Sequence, residues 1–187
     1  MSMSTIHRFL TVGLVAGLVG VSAEAQDGGQ TIQAGALSFK APSAWKKETP
    51  KSSMRQAQLK IEPAAGDDEP AELVVFAFPN GAGSVESNID RWEKQFIDAD
   101  RKTPRAKVEK KKGMNVDVTR VEIAGRFVAP VTPGAAARND KSNYRLLGAI
   151  VETKDVGYFF KLTGPDKTVA AASKGFDGLI ESMKLDK

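Results

Sequence analysis

The stretch LVVFAF at residues 73–78 decides the fold, because it is apolar at every position. A strand with one face in water alternates apolar and polar side chains, whereas a strand covered on both faces does not. Residues 57–61 do alternate, which predicts a half-buried strand. Residues 73–78 therefore predict a central strand in a sheet that has helices on both sides.

Two segments have the apolar spacing of helices that could cover such a sheet. Ser84 is the predicted N-cap of the first helix, which follows the turn PNGAG at 79–83 and extends to about Ala99. The apolar stripe of this helix consists of Val85, Ile89, Trp92 and Phe96. A second helix is predicted from 164–166 to about Met183, and the glycines in its middle weaken it.

The other apolar segments alternate as β-strands do. These segments are 37–40, 106–128, 144–152 and 157–162. The apolar positions change phase across Thr119 and Arg120, which predicts a β-bulge there, and residues 153–156 predict a hairpin turn. The order of elements predicts a single-domain α+β protein: an α/β/α sandwich with a largely antiparallel sheet and one helix on each face.

The first 25 residues have the parts of a secretory signal peptide. Arg8 precedes an apolar run at 9–21, and the small residues Ala23 and Ala25 predict cleavage before Gln26. The run is shorter than the ~20 residues that span a bilayer. An uncleaved membrane anchor is the alternative, and the cleavage motif favours removal.

Cleavage would divide the chain into residues 1–25, which are lost, and an exported product. The polar, glycine-rich segment 26–35 predicts a flexible leader, and 36–187 has a suitable length for one domain. No later apolar run approaches the length of a transmembrane helix. We therefore expect a secreted, soluble protein in the periplasm or the extracellular space.

The residue composition excludes several classes of chemistry. The chain of 187 residues has no Cys and one His, and its formal net charge is +4. Because His7 lies in the segment predicted to be removed, the exported protein would have neither imidazole nor thiol. Ser-His-Asp hydrolases, Cys-His enzymes, zinc sites and His-ligated haem each require one of these groups. We accordingly predict no catalytic residue, no cofactor and no metal ligand.

Three local patterns could serve binding, but each has a simpler structural interpretation. The run KVEKKK at 107–112 predicts an anion-binding patch or an edge strand protected by lysines, and the interruption by Glu109 favours the edge strand. The turn GDDE at 66–69 could ligate Ca²⁺, but three adjacent acids in a turn do not converge on one ion. The segment GAGS at 81–84 precedes a helix but lacks the lysine of a phosphate-binding loop. Export and the lack of aromatic residues among the lysines argue against nucleic acid as a partner.

The acidic residues of the first predicted helix interleave with basic ones, which predicts a solvated face with an i,i+4 ion pair. These residues are Glu86, Asp90 and Glu93, and the pair is Asp90–Lys94. Trp45 and Trp92 are predicted to anchor the core. The loop at 129–143 is longer than usual and is either a binding surface or a tolerated hairpin tip.

The order of these elements resembles the PsbP-like family of α/β/α sandwiches. The resemblance rests on FKAPSAW at 39–45, the mid-chain helix, YFFKLTG at 158–164 and a terminal helix that contains Phe176. That family includes the extrinsic PsbP subunit of photosystem II, a Ran-binding nuclear import factor and exported bacterial proteins. The resemblance implies a binding or accessory role without catalysis, and it provides no motif from which a functional residue can be transferred.

These observations favour an exported, non-enzymatic accessory or binding domain of the bacterial envelope, with an unknown envelope protein or small ligand as its partner. One alternative is a hydrolase of envelope glycan or peptide that depends on carboxylates, which would need two facing carboxylates with raised pKa values. A second alternative is a carrier of a small apolar ligand between the sheet and a helix.

Overall fold

The computed structural model describes residues 29–132 and 134–186. The predicted signal peptide, residues 1–25, lies outside the described residues. The elements are β1 (Gln30–Ala34), β2 (Leu37–Ala41), β3 (Lys46–Lys47), β4 (Arg55–Ile61), β5 (Ala71–Pro79), α1 (Val85–Glu93), β6 (Phe96–Ile97), β7 (Lys107–Lys112), β8 (Asp117–Phe127), β9 (Lys141–Glu152), β10 (Val156–Pro165), α2 (Asp166–Ala171), α3 (Ser173–Glu181) and β11 (Lys184–Leu185).

An eight-stranded sheet forms the centre of the molecule. Its order is β3-β4-β5-β10-β9-β8-β6, and β7 pairs with β8. A smaller sheet has the order β1-β2-β11, and neighbouring strands are antiparallel in both sheets. The apolar stretch 73–78 lies in β5, between β4 and β10, which confirms the prediction of a central strand.

Two hydrophobic cores lie on the opposite faces of the large sheet. Successive residues of β10 contribute to them in turn: Tyr158 and Phe160 belong to one core, and Phe159 belongs to the other. On the first face, α2, α3 and the small sheet cover the core. On the second face, Trp92 of α1 packs so closely over β9 that a Cβ at Gly148 would lie 2.3 Å from its ring. The predicted α+β architecture, with layers on both faces of an antiparallel sheet, is confirmed.

The terminal helix differs from the prediction, because it is interrupted. Helices α2 and α3 are separate elements that meet at Ala172, so the first face carries two helices rather than one. Gly175 weakens the helix but is required for its packing. A Cβ there would lie 2.9 Å from Cγ of Pro42 and 3.2 Å from Cζ2 of Trp45, so glycine allows α3 to approach the turn that follows β2.

The prediction of a flexible leader over 26–35 is wrong for its second half. Residues 30–34 form β1, which pairs with β2, and the side chains of Ile32 and Ala34 are buried. These two positions alternate with polar residues, so the segment satisfies the pattern of a half-buried strand despite its glycines. Residues 26–28 lie outside the described part of the chain.

The first helix ends earlier than predicted, at Glu93 instead of Ala99. The backbone N–H of Gln95 donates to the carbonyl of Trp92, and the chain then enters β6, where Phe96 pairs with Phe127 of β8. The predicted stripe still lies in one core, because Phe96 is fully buried there. Strand pairing therefore replaces the last helical turn while the apolar residues keep their burial.

The β-bulge lies at a different place from the one predicted. Thr119 and Arg120 are in regular register with β9, and the register shift occurs between Gly125 and Phe127. The phase change has another cause: Val118 contributes to the core on one face, whereas the apolar residues that follow contribute to the core on the other. The hairpin at 153–156 is confirmed, with the N–H of Thr153 donating to the carbonyl of Val156 at 3.0 Å.

Within the described residues, no helix combines the length and the apolar character that crossing a membrane requires.

Candidate functional site

A cleft of about 1000 Å³ opens at one end of the large sheet. We call it the arginine cleft, because Arg101, Arg126 and Arg138 line it together with polar and small residues. Its lining comes from residues 97–99, 101, 124–126, 128, 138–140, 142–144 and 166. The loop at 129–143, predicted to be a candidate binding surface, thus contributes residues 138–140, 142 and 143 to the lining.

The bulge in β8 shapes the floor of the arginine cleft. Gly125 has a φ of 155°, in the range that side chains rarely adopt. A Cβ at this position would also lie 2.6 Å from the carbonyl oxygen of Ile97. Glycine is therefore required for β6 and β8 to approach each other at the base of the cleft.

A tight turn presents Arg101. The N–H of Asp98 donates to the carbonyl of Lys102 at 2.8 Å, and the N–H of Lys102 donates to the Asp98 carboxylate at 2.8 Å. Arg101 has a φ of 61°, an unfavourable conformation for a residue with a long side chain. The turn thus fixes the backbone of Arg101 at the edge of the cleft, and its side chain is exposed.

The loop between β8 and β9 presents Arg138 on an ordered frame. The N–H of Val131 donates to the carbonyl of Ala137 at 3.0 Å, and Pro130 forms an isolated β-bridge with Arg138. The backbone N–H of Asn139 and its side-chain Nδ2 both donate to the carbonyl of Ala129, at 2.8 and 3.0 Å. In the described part of the loop, these bonds form a small hairpin extension.

The two remaining exposed arginines of the cleft region differ in their partners. Arg126 forms a two-point ion pair with Asp140, in which Nε donates to Oδ1 and a terminal nitrogen donates to Oδ2. The hydrogen bond from Arg126 holds the pKa of the Asp140 carboxyl below its usual value. Arg138, which is two residues from Asp140, makes no such pair.

The arginines of the described residues separate into two sets by their contacts. Most of them donate to at least one side-chain acceptor: these are Arg55, Arg91, Arg105, Arg120, Arg126 and Arg145. Within residues 29–132 and 134–186, only Arg101 and Arg138 have no such acceptor, and both line the same cleft. The cleft lining thus contains three arginines and three aspartates, and two of the arginines have no side-chain acceptor within the described residues.

The carboxylates that line the cleft are, in contrast, already engaged. Asp140 is paired with Arg126, and Asp98 accepts the N–H of Lys102 within its own turn. Asp166, at the start of α2, accepts from Nε of Arg145 at 2.9 Å. Each aspartate of the cleft lining thus accepts at least one hydrogen bond from this chain, whereas Arg101 and Arg138 donate to no side chain of the described residues.

The turn at 66–69 holds the structure together at a neighbouring place. Oδ2 of Asp67 accepts both the N–H and the hydroxyl of Thr168, each at 2.8 Å. Glu69 accepts from Lys141 and from the phenol of Tyr144, and these bonds lower the pKa of Glu69. The two carboxylates point to separate partners and do not converge on one ion, as predicted, and the mostly exposed turn also links α2 to β9.

The basic run at 107–112 forms β7, which pairs with β8 alone among the described strands. Lys107 and Glu109 form an ion pair at 2.9 Å, and Lys112 pairs with Asp117 across the hairpin. The structural interpretation of this run as a lysine-rich edge strand is therefore confirmed.

At the N-terminus of α1, the chain satisfies its own polar groups. Oγ of Ser84 accepts the N–H of Ser87, as predicted for an N-cap. The buried Asn88 donates to the carbonyls of Ala82, at 3.1 Å, and of Ser84, at 2.8 Å. The backbone N–H of Glu86 donates to the carboxylate of the same residue and lowers the pKa of that carboxyl group. A carboxylate of the chain therefore occupies this helix terminus.

One acidic residue of α1 departs from the predicted solvated face. Asp90 and Lys94 form the predicted pair at 2.6 Å. Glu93, however, is buried, and its carboxylate accepts the N–H of Ala106 at 2.8 Å. It also pairs with Arg105, so Glu93 fixes the segment that leads from the cleft to β7. The i,i+4 pattern could not indicate this role, because the partners lie in a later loop.

Two buried or half-buried cations were not indicated by the sequence. Arg120 is 5% exposed and donates to Asp177, Glu122 and Ser173, at 2.8, 3.1 and 3.1 Å. Lys161 is half-buried in β10 and donates to Oε1 of Gln95 at 2.8 Å. Burial, assisted by the charge of Arg55, lowers the pKa of Lys161 to about 8.

The aromatic anchors behave as predicted. Trp45 and Trp92 are 5% and 4% exposed, and they lie in the cores on opposite faces of the sheet. Nζ of Lys161 lies 5.9 Å from the centre of the Trp92 ring, a distance that permits a cation–π contact. Tyr144 stacks on Phe127 with ring centres 5.8 Å apart, which stiffens the edge of the arginine cleft.

The overall fold matches that of a known structure. Cyanobacterial PsbP (CyanoP) from Synechocystis, solved in solution, superimposes with a TM-score of 0.52 over 91% of this chain and 96% of the other. The chain has a PsbP-like fold. At 14% sequence identity, this likeness concerns the PsbP-like fold alone.

Other comparisons are weaker. A crystal structure from Bacteroides thetaiotaomicron is 15% identical and covers 81% of this chain and 46% of the other, with a TM-score of 0.44. No protein-family model and no curated sequence matches the chain. The assignment of the PsbP-like fold therefore rests on the cyanobacterial structure, and the candidate site rests on the geometry of the cleft.

Proposed function

We propose that this protein is an exported, non-enzymatic accessory protein that binds a partner in the bacterial envelope through the arginine cleft. A single observation carries the proposal. Among the arginines of the described residues, the two without a side-chain acceptor, Arg101 and Arg138, line one cleft of about 1000 Å³. A guanidinium has five donors in a fixed fork, which suits it to recognition of another molecule when the chain provides no acceptor.

Export is supported by the sequence of residues 1–25, which has the charged, apolar and cleavage segments of a signal peptide. An accessory protein of the envelope needs this route, because its partner would lie beyond the cytoplasmic membrane. The chain also has no Cys, so an oxidising compartment would not cause mispairing of thiols.

The electrostatics of the carboxylates favour binding over hydrolysis. A carboxyl group that acts as a general acid needs a raised pKa. The carboxyl groups whose pKa is shifted in the described residues all shift downwards, and Asp140, the one that lines the cleft, does so because Arg126 donates to it. The charged lining of the cleft likewise does not suit a small apolar ligand.

Site-directed photo-crosslinking in the native envelope tests the proposal. A photoreactive amino acid would replace Ala99 in the cleft, and the matched control would replace Lys174, which is exposed on α3 on another part of the surface. We expect a defined adduct with one envelope protein from position 99 and none from position 174. Equal adducts from both positions, or none from position 99, would contradict the proposal.

A hydrolase screen with the purified protein provides the complementary test. We expect no turnover of envelope glycans or peptides. Turnover that disappears on the substitution Asp140→Asn would show that the protein is an enzyme and would overturn the proposal.

A further inference from the structure

We infer that the arginine cleft recognises carboxylate side chains, and that its occupant is an acidic peptide segment of an exported partner protein. The inference rests on the proposed function and names the chemistry of the partner. Its basis is the contrast between the donors and the acceptors of the cleft. The carboxylates Asp98, Asp140 and Asp166 have partners in this chain, whereas Arg101 and Arg138 have none among the described residues.

The cleft itself contains an example of the interaction that we infer. Arg126 holds Asp140 through two parallel N–H···O contacts, one from Nε and one from a terminal nitrogen. This fork-to-carboxylate arrangement combines charge with a defined orientation. Asp140 is an exposed carboxylate on a loop, so the pair has the geometry that an acidic side chain of a partner would adopt at Arg101 or Arg138.

The size and lining of the cleft favour a peptide over a small anion. A volume of about 1000 Å³ lies at the upper end of ligand sites and exceeds what one phosphate or carboxylate group would fill. Small and apolar residues lie between the charged ones: Ile97, Ala99, Ala124, Gly125 and Val128. Such a lining offers contact area to the backbone and the uncharged side chains of a peptide. The two arginines favour a peptide that carries negative charge.

The frame of the cleft is formed before a partner binds. Hydrogen bonds close the turn at 98–102, and the double donation from Asn139 to Ala129 closes the loop that holds Arg138. Gly125 allows β6 to approach β8 at the floor, because a Cβ there would lie 2.6 Å from the carbonyl oxygen of Ile97. A preformed site loses less conformational entropy on binding, so a short acidic segment can bind with useful affinity.

Fluorescence anisotropy with two peptide libraries tests the inference. In the first library, Asp or Glu alternates with randomised uncharged residues, and in the matched library Asn or Gln replaces every acidic residue. We expect the purified protein to bind the acidic library and not the amide library. Binding should weaken with added salt, because the contacting charges are exposed.

The variants Arg101→Gln and Arg138→Gln should each weaken binding of the acidic library by roughly tenfold, the usual effect of losing one hydrogen-bonded charge pair. The matched control is Arg91→Gln, an exposed arginine of α1 that donates to Asn88 and does not line the cleft. We expect this control to bind as the unmodified protein does. Circular dichroism would verify that each variant is folded.

Competition separates the possible sources of negative charge. Inorganic phosphate and phosphatidylglycerol vesicles are not expected to displace the acidic peptides at equal concentration of charge. Displacement by either competitor, equal binding of the two libraries, or absence of binding would overturn the inference. If crosslinking from position 99 still yields a defined partner in the double arginine variant, the proposed function stands and the inference alone fails.

Discussion

Arg120 and the two unpaired arginines of the cleft differ in burial and in their hydrogen-bond partners. Arg120 is buried in β8, and Glu122, Ser173 and Asp177 accept its hydrogen bonds. Arg101 and Arg138 are exposed and have no side-chain acceptor within the described residues. A buried charge needs hydrogen-bond partners and opposite charges within the fold, whereas water solvates an exposed charge until another molecule binds it. The first arginine therefore stabilises the protein, and the other two are available for binding.

The largest effect is expected from the substitution Arg120→Met, which keeps much of the side-chain volume but removes three hydrogen bonds. Burial opposes the charge of Arg120, but the bonds and charges of Glu122 and Asp177 outweigh it and raise its pKa. Loss of these charge-assisted bonds should lower the free energy of unfolding by about 3 kcal/mol. Urea denaturation at neutral pH would measure this change.

The matched control for this prediction is Arg91→Met on α1, where the arginine is exposed and donates to Asn88. Its effect should be about 1 kcal/mol, because Oδ1 of the buried Asn88 loses its donor but no ion pair is broken. A similar loss in the two variants would mean that burial and bonding of Arg120 do not distinguish it from a surface arginine.

The second prediction concerns Lys161, a cation that has an amide as its hydrogen-bond partner instead of a carboxylate. Burial, with a smaller contribution from Arg55, lowers its pKa from 10.5 to about 8. This difference corresponds to about 3 kcal/mol against the charged form in the folded state. The substitution Lys161→Met also removes the bond to Gln95, worth about 1 kcal/mol. The variant should therefore be more stable at neutral pH by about 2 kcal/mol.

The pH dependence of unfolding provides a sharper measurement of the same effect. The folded pKa of Lys161 is lower than the unfolded one, so the unfolded state binds more protons between about 8 and 10.5. Stability of the unmodified protein should consequently rise with pH through this range, and the contribution is lost as the pH falls through about 8. The difference in stability between Lys161→Met and the unmodified protein should shrink over the same range. A constant difference would show that the charge of Lys161 is not responsible.

A smaller effect is expected from Asn139→Ala, which tests whether the frame of the cleft is preformed. The substitution removes the side-chain bond to the carbonyl of Ala129 but keeps the backbone bond to the same atom. Stability should fall by about 1 kcal/mol. Amide hydrogen exchange at Val131, whose N–H lies within the loop, should become faster. Unchanged exchange would mean that the loop is held by other contacts.

The layers of the fold were predictable from local apolar patterns, and the charged contacts were not. The run at 73–78 indicates a strand with two covered faces on its own. The burial of Arg120, in contrast, depends on Asp177, which is 57 positions away along the chain. The strand β1 was not predicted, because the glycine-rich composition of 26–35 indicated flexibility and the alternating segment has only two apolar residues.

The arginine cleft was predictable only in part, for a similar reason. The long loop at 129–143 was a candidate because of its length, and it does contribute Arg138 and Asp140. Arg101 lies in a turn that the sequence had placed just beyond a helix, so nothing linked it to that loop. The connection depends on the bulge at Gly125, and that bulge was expected several residues earlier in the strand.

The smallest effect on stability is expected from the double variant Arg101→Gln, Arg138→Gln, and this small effect distinguishes a binding role from a structural one. Neither guanidinium has a side-chain acceptor in the described residues, so their removal breaks no ion pair of the fold. The free energy of unfolding should change by less than about 0.5 kcal/mol. The same variant should lose binding of acidic peptides, so binding and stability separate. A loss of stability comparable to that of Arg120→Met would instead show that the two arginines support the loops. An exposed arginine contributes to the stability of the folded protein only through groups of the chain that it contacts.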